Sequence, residues 1–291
     1  MSFYINRKTK ILIQGISGEK GLFHAGQMLL TGSPIVAGVS PGNGGDWVFD
    51  GKVPVFDTVD AAVDATGADA SFVFVPARNA FDAIMEAVWA DIPVIFCLTF
   101  GIPSQDIIRI KEALKNTSVR LIGPGSPGMI TSDNLSLGFV PPGISMKGNV
   151  GVVSRSGPIA YEIIFEMMQS EIGISSYIGI GNESIVGTDF IEILDSFELD
   201  PVTEKILLIG ENGTELEENA ANFIANHITK PIIGYIAGRK TDTYNALVKF
   251  KNYKNIGIES SSVDNKIDAL KSAGVKIAAR INEIPTLLKS V

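Results

Sequence analysis

Cysteine is nearly missing from this 291-residue chain, which carries Cys97 and no other. That excludes an internal disulfide and a thiolate metal site within one chain, and points to a reducing, cytosol-like compartment. Cys97 lies in the apolar run Ile92 to Phe100, where a small hydrophobe in a buried strand is the expected role. Histidine is scarce too, with only His24 and His227, and neither joins a Ser-His-Asp or metal-ligand pattern. Positive charge is outnumbered, 24 Lys and Arg against 32 Asp and Glu, for a formal net charge of −8. A nucleic-acid partner is therefore disfavoured, because the phosphate backbone demands a basic face. No apolar run approaches the roughly 18 residues that mark a bilayer span. The polar stretch Met1 to Lys10 has no apolar segment of the signal-peptide kind. The expectation is a cytoplasmic protein without a membrane contact.

What is present is ordinary for an α/β protein, 45% hydrophobic and 19% charged residues. The length suits two domains of roughly 100–150 residues each. The first half alternates strand patterns at Lys10–Gln14, Ile35–Val39, Ala70–Val75, Ile92–Leu98 and Arg120–Ile122 with helical patterns at Leu22–Leu30, Val59–Ala65, Ala80–Ala90 and Gln105–Lys115. In the last helix, Ile107, Ile108, Ile110, Ala113 and Leu114 are expected on one stripe. Near-continuous β-branched strands separated by helices predict a parallel sheet covered on both faces, a Rossmann-like domain over residues 1–125.

From Gly123 to Gly148 prolines and glycines break the pattern, so 126–148 reads as an ordered linker with one short strand at Leu135–Val140. A second alternation fills 149–291, with strands at Val150–Val153, Ser175–Gly179, Lys205–Gly210, Pro231–Ile236 and Val275–Ala278. Helices are expected at Ile159–Gln169, Thr188–Phe197, Leu216–Ile228, Val263–Ser272 and Ile281–Leu288, which predicts a flavodoxin-like sheet. Between Gly238 and Val263 only a weak helical stretch, Tyr244–Phe250, stands out, and the segment is basic through Arg239, Lys240, Lys249, Lys251 and Lys254.

Each half contains a strand that runs into a glycine-bearing turn and then a helix, the arrangement that offers unpaired N–H groups and a positive dipole end to an anion. The first turn is Gly15-Ile16-Ser17-Gly18-Glu19-Lys20-Gly21. A nicotinamide fingerprint needs an acid at the end of the second strand, and Val39-Ser40-Pro41-Gly42-Asn43 has none. A nucleotide with several phosphates stays open, as does a tight turn without a ligand. The second turn, Ser154-Arg155-Ser156-Gly157-Pro158, suits a phosphate or carboxylate: Ser156 donates from hydroxyl and backbone, Gly157 permits close approach, and Pro158 fits the first helical turn. Gly179-Ile180-Gly181-Asn182 and Gly210-Glu211-Asn212-Gly213 follow strands of the same sheet and are expected beside it. Glu211 is then a candidate general base or histidine partner, or else a surface residue capping the helix at Leu216. For His24, packing or a capping hydrogen bond is expected, while His227 suits the negative end of its helix dipole.

Together these residues resemble the α subunit of succinyl-CoA synthetase and the wider nucleotide-forming acyl-CoA synthetase family. The motifs are Gly18-Glu19-Lys20-Gly21-Leu22-Phe23-His24, Gly38 to Gly45, Ile122-Gly123-Pro124 with Pro127-Gly128, Ser154-Arg155-Ser156-Gly157 with Tyr161-Glu162, and Thr229-Lys230-Pro231 with Gly234 to Gly238. The resemblance implies a coenzyme A-binding first domain and a ligase second domain. It places coenzyme A against Ser17, Gly18, Glu19, Lys20, Asn43, Leu98, Thr99 and Phe100. It also makes Tyr161 a substrate-site residue, with Ser156, Gly157 and Glu211 forming a phosphohistidine cradle. The implied reaction joins a small carboxylate to coenzyme A at the expense of a nucleoside triphosphate. The nucleotide and its Mg are held by a β-type partner subunit, in a heterodimer or heterotetramer.

The family's histidine is the point of departure. Its position falls in Phe250-Lys251-Asn252-Tyr253, and a Lys251 ammonium is no nucleophile unless its pKa is greatly lowered. Asn43 stands in place of a lysine, Phe100 of an acid, Gly125-Ser126 of Asn-Cys and Asn182-Glu183 of Gly-Asp. An α-subunit-like ligase scaffold that departs from the phosphohistidine cycle is therefore expected. The alternatives are a non-catalytic coenzyme A-binding or regulatory partner of a β-type subunit, and an acyl or carbamoyl transferase without a phospho-enzyme. A nicotinamide dehydrogenase ranks last.

Overall fold

In the computed structural model, which describes residues 5–238 and 262–291, the chain builds two sheets of seven strands each. The segment containing Tyr244–Phe250, Lys251 and the other basic residues from Arg239 to Lys254 lies outside the described residues.

The first sheet grows from β1 (Ile11–Gln14), whose four residues are all buried. It is followed by α1 (Glu19–Leu30), β2 (Ile35–Val39), β3 (Trp47–Val48), β4 (Val53–Phe56), α2 (Val59–Thr66), β5 (Ala70–Val73), α3 (Ala77–Trp89), β6 (Val94–Cys97), α4 (Ser104–Leu114) and β7 (Arg120–Ile122). The strand order is β3-β4-β2-β1-β5-β6-β7, parallel except for the β3–β4 pair. The chain leaves β1 for β2 on one side and returns to β5 on the other, so the sheet's switch point lies between β1 and β5. The strands β3 and β4 were not expected: β3 has two residues, and Pro54 inside β4 argues against a strand there. In α4, Ile107 and Ile110 enter the core, while Ile108 is 55% exposed and leaves the expected stripe. One residue's rotation of about 100° carries it off the buried face.

The stretch read as a linker contributes strands to the second sheet. Within it, β8 (Gly128–Ile130) and β9 (Ser136–Gly138) form an antiparallel hairpin, and β8 pairs antiparallel with β11 (Ile174–Gly179). The expected Leu135–Val140 strand contains β9, whereas β8 was hidden between Pro127 and the turn at Asn134. The remaining elements are β10 (Lys147–Ser154), α5 (Gly157–Gln169), α6 (Phe190–Leu199), β12 (Lys205–Gly210), α7 (Leu216–His227), β13 (Ile232–Ile236), α8 (Val263–Ser272), β14 (Lys276–Ile277) and α9 (Ile284–Lys289). Their order, β14-β13-β12-β10-β11-β8-β9, is the flavodoxin-like arrangement, with its switch point between β10 and β12.

One apolar cluster joins the halves. It includes Ile13, Phe72 and Phe96 of the first sheet, Met129 and Leu137 of the hairpin, and Val153, Ile178 and Leu208 of the second. Polar ties reinforce it: the Glu183 carboxylate accepts the Gly101 N–H at 2.8 Å, and Thr31 Oγ1 donates to the Ser136 carbonyl at 3.4 Å. The α/β class, a Rossmann-like domain followed by a flavodoxin-like one, is thus realised with the hairpin packed between them.

Candidate functional site

At the first switch point β1 ends in Gly15, whose φ of +84° suits glycine and turns the chain toward α1. Gly18 caps α1 in an extended conformation with no side-chain hydrogen bond, so the first N–H groups of the helix are left for another acceptor. Gly21 permits the close packing behind this turn, since a Cβ there would stand 2.1 Å from the Gly15 carbonyl oxygen. Ser17 and Ser40 share a hydrogen bond of 2.5 Å between hydroxyls, and Asn43 Nδ2 donates to Ser40 Oγ at 2.8 Å. The Asp57 carboxylate holds the neighbouring loop by accepting from the N–H groups of Gly42 and Gly44 at 2.7 and 3.0 Å. Ser40 and Asp57 were not among the expected site residues. The Ser-Pro-Gly turn was the available signal for Ser40, and nothing local marked Asp57.

This helix start opens onto a cavity of about 410 Å³ lined by Gly18 to Gly21, Phe74 to Ala77, Leu98 to Phe100, and Phe139. Of the residues expected there, Gly18, Glu19, Lys20, Leu98, Thr99 and Phe100 border the cavity, while Ser17 and Asn43 meet at Ser40 on the β2 side. Thr99 Oγ1 donates to the Val75 carbonyl at 2.7 Å and ties two lining segments together. Leu98 is buried and supplies floor, whereas Phe100 is half exposed.

The second switch point carries Ser154-Arg155-Ser156. Ser156 begins α5 without a side-chain cap, and Pro158 occupies its first turn; the Ser156 N–H, expected to face a ligand, instead donates to Ser154 Oγ at 3.1 Å. The adjoining cavity, about 210 Å³, is bordered by Phe100, Gly125, Pro127, Phe139, Arg155, Ser156, Gly157, Pro158, Tyr161 and Asn182. Arg155 is 2% exposed; its guanidinium donates to the carbonyls of Asn182 at 3.1 Å and of Glu211 and Asn212 at 3.4 Å each. The expected loops after β11 and β12 are therefore gathered around this one side chain. The Tyr161 hydroxyl donates to the Pro127 carbonyl at 3.0 Å, and burial pushes its phenol above the ordinary value.

Glu211 does not cap α7; that position belongs to Glu215. Its carboxylate stands 3.8 Å from Arg155. Burial raises its pKa; Arg155 opposes the shift and Glu217 adds to it. Behind it lies an ion chain. Glu217, fully buried, sits 3.6 Å from Arg155 and accepts the Glu211 N–H at 2.9 Å. Lys266 of α8, also fully buried, bonds Glu217 at 2.8 Å and Glu218 at 2.7 Å, and donates to the Thr214 carbonyl. Sequence reading missed this chain, since Lys266 and Glu217 are 49 positions apart.

The histidines stand elsewhere. His24 packs among Phe23, Phe74 and Phe139, with burial and then the Lys20 charge lowering its pKa. His227 stacks on Phe223 at 4.6 Å. Burial pushes the Cys97 thiol up to about 12, as fits a structural residue. Among the described residues no cluster of His, Cys, Asp or Glu has the form of a metal site, and no helix is long and apolar enough to cross a membrane.

Comparison with known proteins follows the two sheets. Residues 6–101 match the CoA binding domain family, and residues 147–287 the succinyl-CoA ligase like flavodoxin domain family. The α subunit of ADP-forming succinate–CoA ligase from Staphylococcus aureus is 42% identical over 288 residues, covering 99% of this chain and 94% of the relative. Its Staphylococcus epidermidis counterpart is 40% identical, covering 94% of this chain and 97% of the relative. Among solved structures, ATP citrate lyase from Methanothrix soehngenii aligns with a TM-score of 0.82 at 21% identity, over 99% of this chain and 51% of that one. The dinucleotide forming acetyl-coenzyme A synthetase 1 of Ca. Korarchaeum cryptofilum aligns at 0.74 and 21%, over 94% of this chain and 59% of that one. At such identities the structural matches speak to fold alone, and the chain spans little more than half the length of those proteins.

Two measurements test the electrostatics. Lys266→Met removes the closer of the two cations on the buried Glu217, leaving Arg155 at 3.6 Å, and is expected to lower stability by about 3 kcal/mol in urea unfolding. Adding Glu217→Leu should restore part of that loss. An unchanged midpoint for the single variant refutes the ion chain. A carboxyl whose folded pKa is raised contributes stability at low pH and loses it as pH rises through the folded value. Glu211→Gln should therefore gain melting temperature over the parent protein as pH rises from 4 to 8. A gain confined to low pH contradicts the assignment.

Proposed function

The chain belongs to the succinate–CoA ligase α-subunit family, and from that premise we propose that it binds coenzyme A in the first cavity, as the α-type half of an acid–thiol ligase scaffold. The observation carrying this reading is the uncapped start of α1, which opens at the first switch point onto a cavity with Lys20 at its border. A helix start with free N–H groups and a lysine is chemically matched to phosphate. In this reading Ser17, Gly18, Glu19 and Lys20 meet the phosphate-bearing part of the cofactor, and Asn43 supports Ser17 through Ser40. Leu98, Thr99 and Phe100 line the path toward the second cavity.

The second cavity receives a small carboxylate at Ser156 and Gly157, with Tyr161 as wall. The tyrosine's hydroxyl proton is committed to Pro127, so it offers its ring and an acceptor oxygen rather than a donor. A nucleoside triphosphate with Mg belongs, by family likeness, to a β-type partner subunit. Neither histidine borders the second cavity, and this favours a chain that takes part without becoming phosphorylated on histidine. A coenzyme A-binding partner that lends a β-type subunit its scaffold without catalysing is the second reading favoured by that same observation.

Calorimetry with coenzyme A is the direct test. Binding is expected, and Lys20→Ala should weaken it by about five- to tenfold, the loss of one charge-assisted phosphate contact. No heat at millimolar ligand defeats the assignment. For the missing phosphohistidine, the chain and its cognate β-type subunit are incubated with γ-labelled ATP. No acid-labile, base-stable label is expected on this chain, and its appearance overturns that part of the reading.

A further inference from the structure

The two cavities share a wall. Phe100 and Phe139 border both of them, with ring centroids 6.3 Å apart and planes within 9° of parallel. Phe139 continues into the first cavity by meeting Phe74 edge to face at 5.7 Å, and His24 at 4.6 Å. Pro127 and Pro158 extend the apolar surface within the second cavity, and Tyr161 adds a ring whose proton is already bonded. The cation bordering the second cavity, Arg155, faces the carboxylates of Glu211 and Glu217 at 3.8 and 3.6 Å. One anionic group can lie at Ser156 and the start of α5. A second one on the same small molecule would face aromatic rings and proline, and among the described residues lining the second cavity Arg155, already set against two carboxylates, is the one cation.

From this arrangement we propose that the acyl group handled here is that of an apolar monocarboxylic acid, received by the Phe100–Phe139 ring pair, in preference to a dicarboxylic acyl group such as succinyl. The inference rests on the reading of the first cavity as a coenzyme A site and adds the substrate class to it. Hydrocarbon set against rings leaves water and gains contact area, while a free carboxylate set there keeps its hydration only by staying out.

The test is calorimetric titration of the chain with coenzyme A, butyryl-CoA, phenylacetyl-CoA and succinyl-CoA, each displacing no other ligand. Butyryl-CoA and phenylacetyl-CoA are expected to bind about tenfold tighter than coenzyme A, the discrimination typical of added apolar groups in a hydrophobic pocket. Succinyl-CoA should bind no tighter than coenzyme A. In Phe100→Ala and Phe139→Ala the ratio of butyryl-CoA to coenzyme A affinity should fall to near one, with circular dichroism reporting the fold. The parent protein alone decides the matter should a variant fail to fold. Binding of coenzyme A with equal affinity for all thioesters, or tightest binding of succinyl-CoA, overturns the acyl preference while leaving the coenzyme A site intact. Absence of binding by coenzyme A and every thioester defeats the site itself.

Discussion

A parallel strand delivers its carboxyl end, and the start of the helix that follows, to a single edge of the sheet. That constraint acts twice in this chain. It brings Gly15 to Lys20 beside Phe74 to Ala77 in one half, and Ser154 to Gly157 beside Gly210 and Glu211 in the other. The polar groups near the two cavities depend on it, because α1 and α5 begin there with no side-chain cap. The antiparallel β8–β9 hairpin then turns two separate edges into neighbours by presenting Phe139 between them.

The second cradle rests on buried charge held in sequence: Lys266, Glu217, Arg155, Glu211. Such an arrangement is stable only while each member keeps its partner, since a single unpaired ion in that interior is far more costly than the pair is favourable. It fixes Arg155 so that its guanidinium can gather the loops after β11 and β12, and it ties α8 to the cradle it helps to shape. Glu211 is the member that solvent partly reaches, and burial raises its pKa.

Much of this architecture is legible in the chain before any coordinates. Runs such as Ile11 to Ile13 or Ile206 to Ile209 announce buried parallel strands, and glycine turns at Gly15 and Gly157 announce where helices start. The family likeness is carried by the same turns. What stays hidden is tertiary. The strands β3 and β8 are very short, Pro54 masks β4, and Ile108 is apolar yet faces solvent, as single surface residues commonly do. Lys266 reads as an ordinary charge on an amphipathic helix until Glu217 and Glu218 are seen across from it. Phe139 carries no motif at all, and its position between two cavities follows from where the hairpin sits rather than from its neighbours in sequence.

The shared aromatic wall has a mechanical side. Phe139 is held edge to face against His24 and Phe74, and the hairpin it follows is paired to the second sheet and bonded to the first domain through Thr31. A group long enough to cross this wall would touch the same two rings from either cavity.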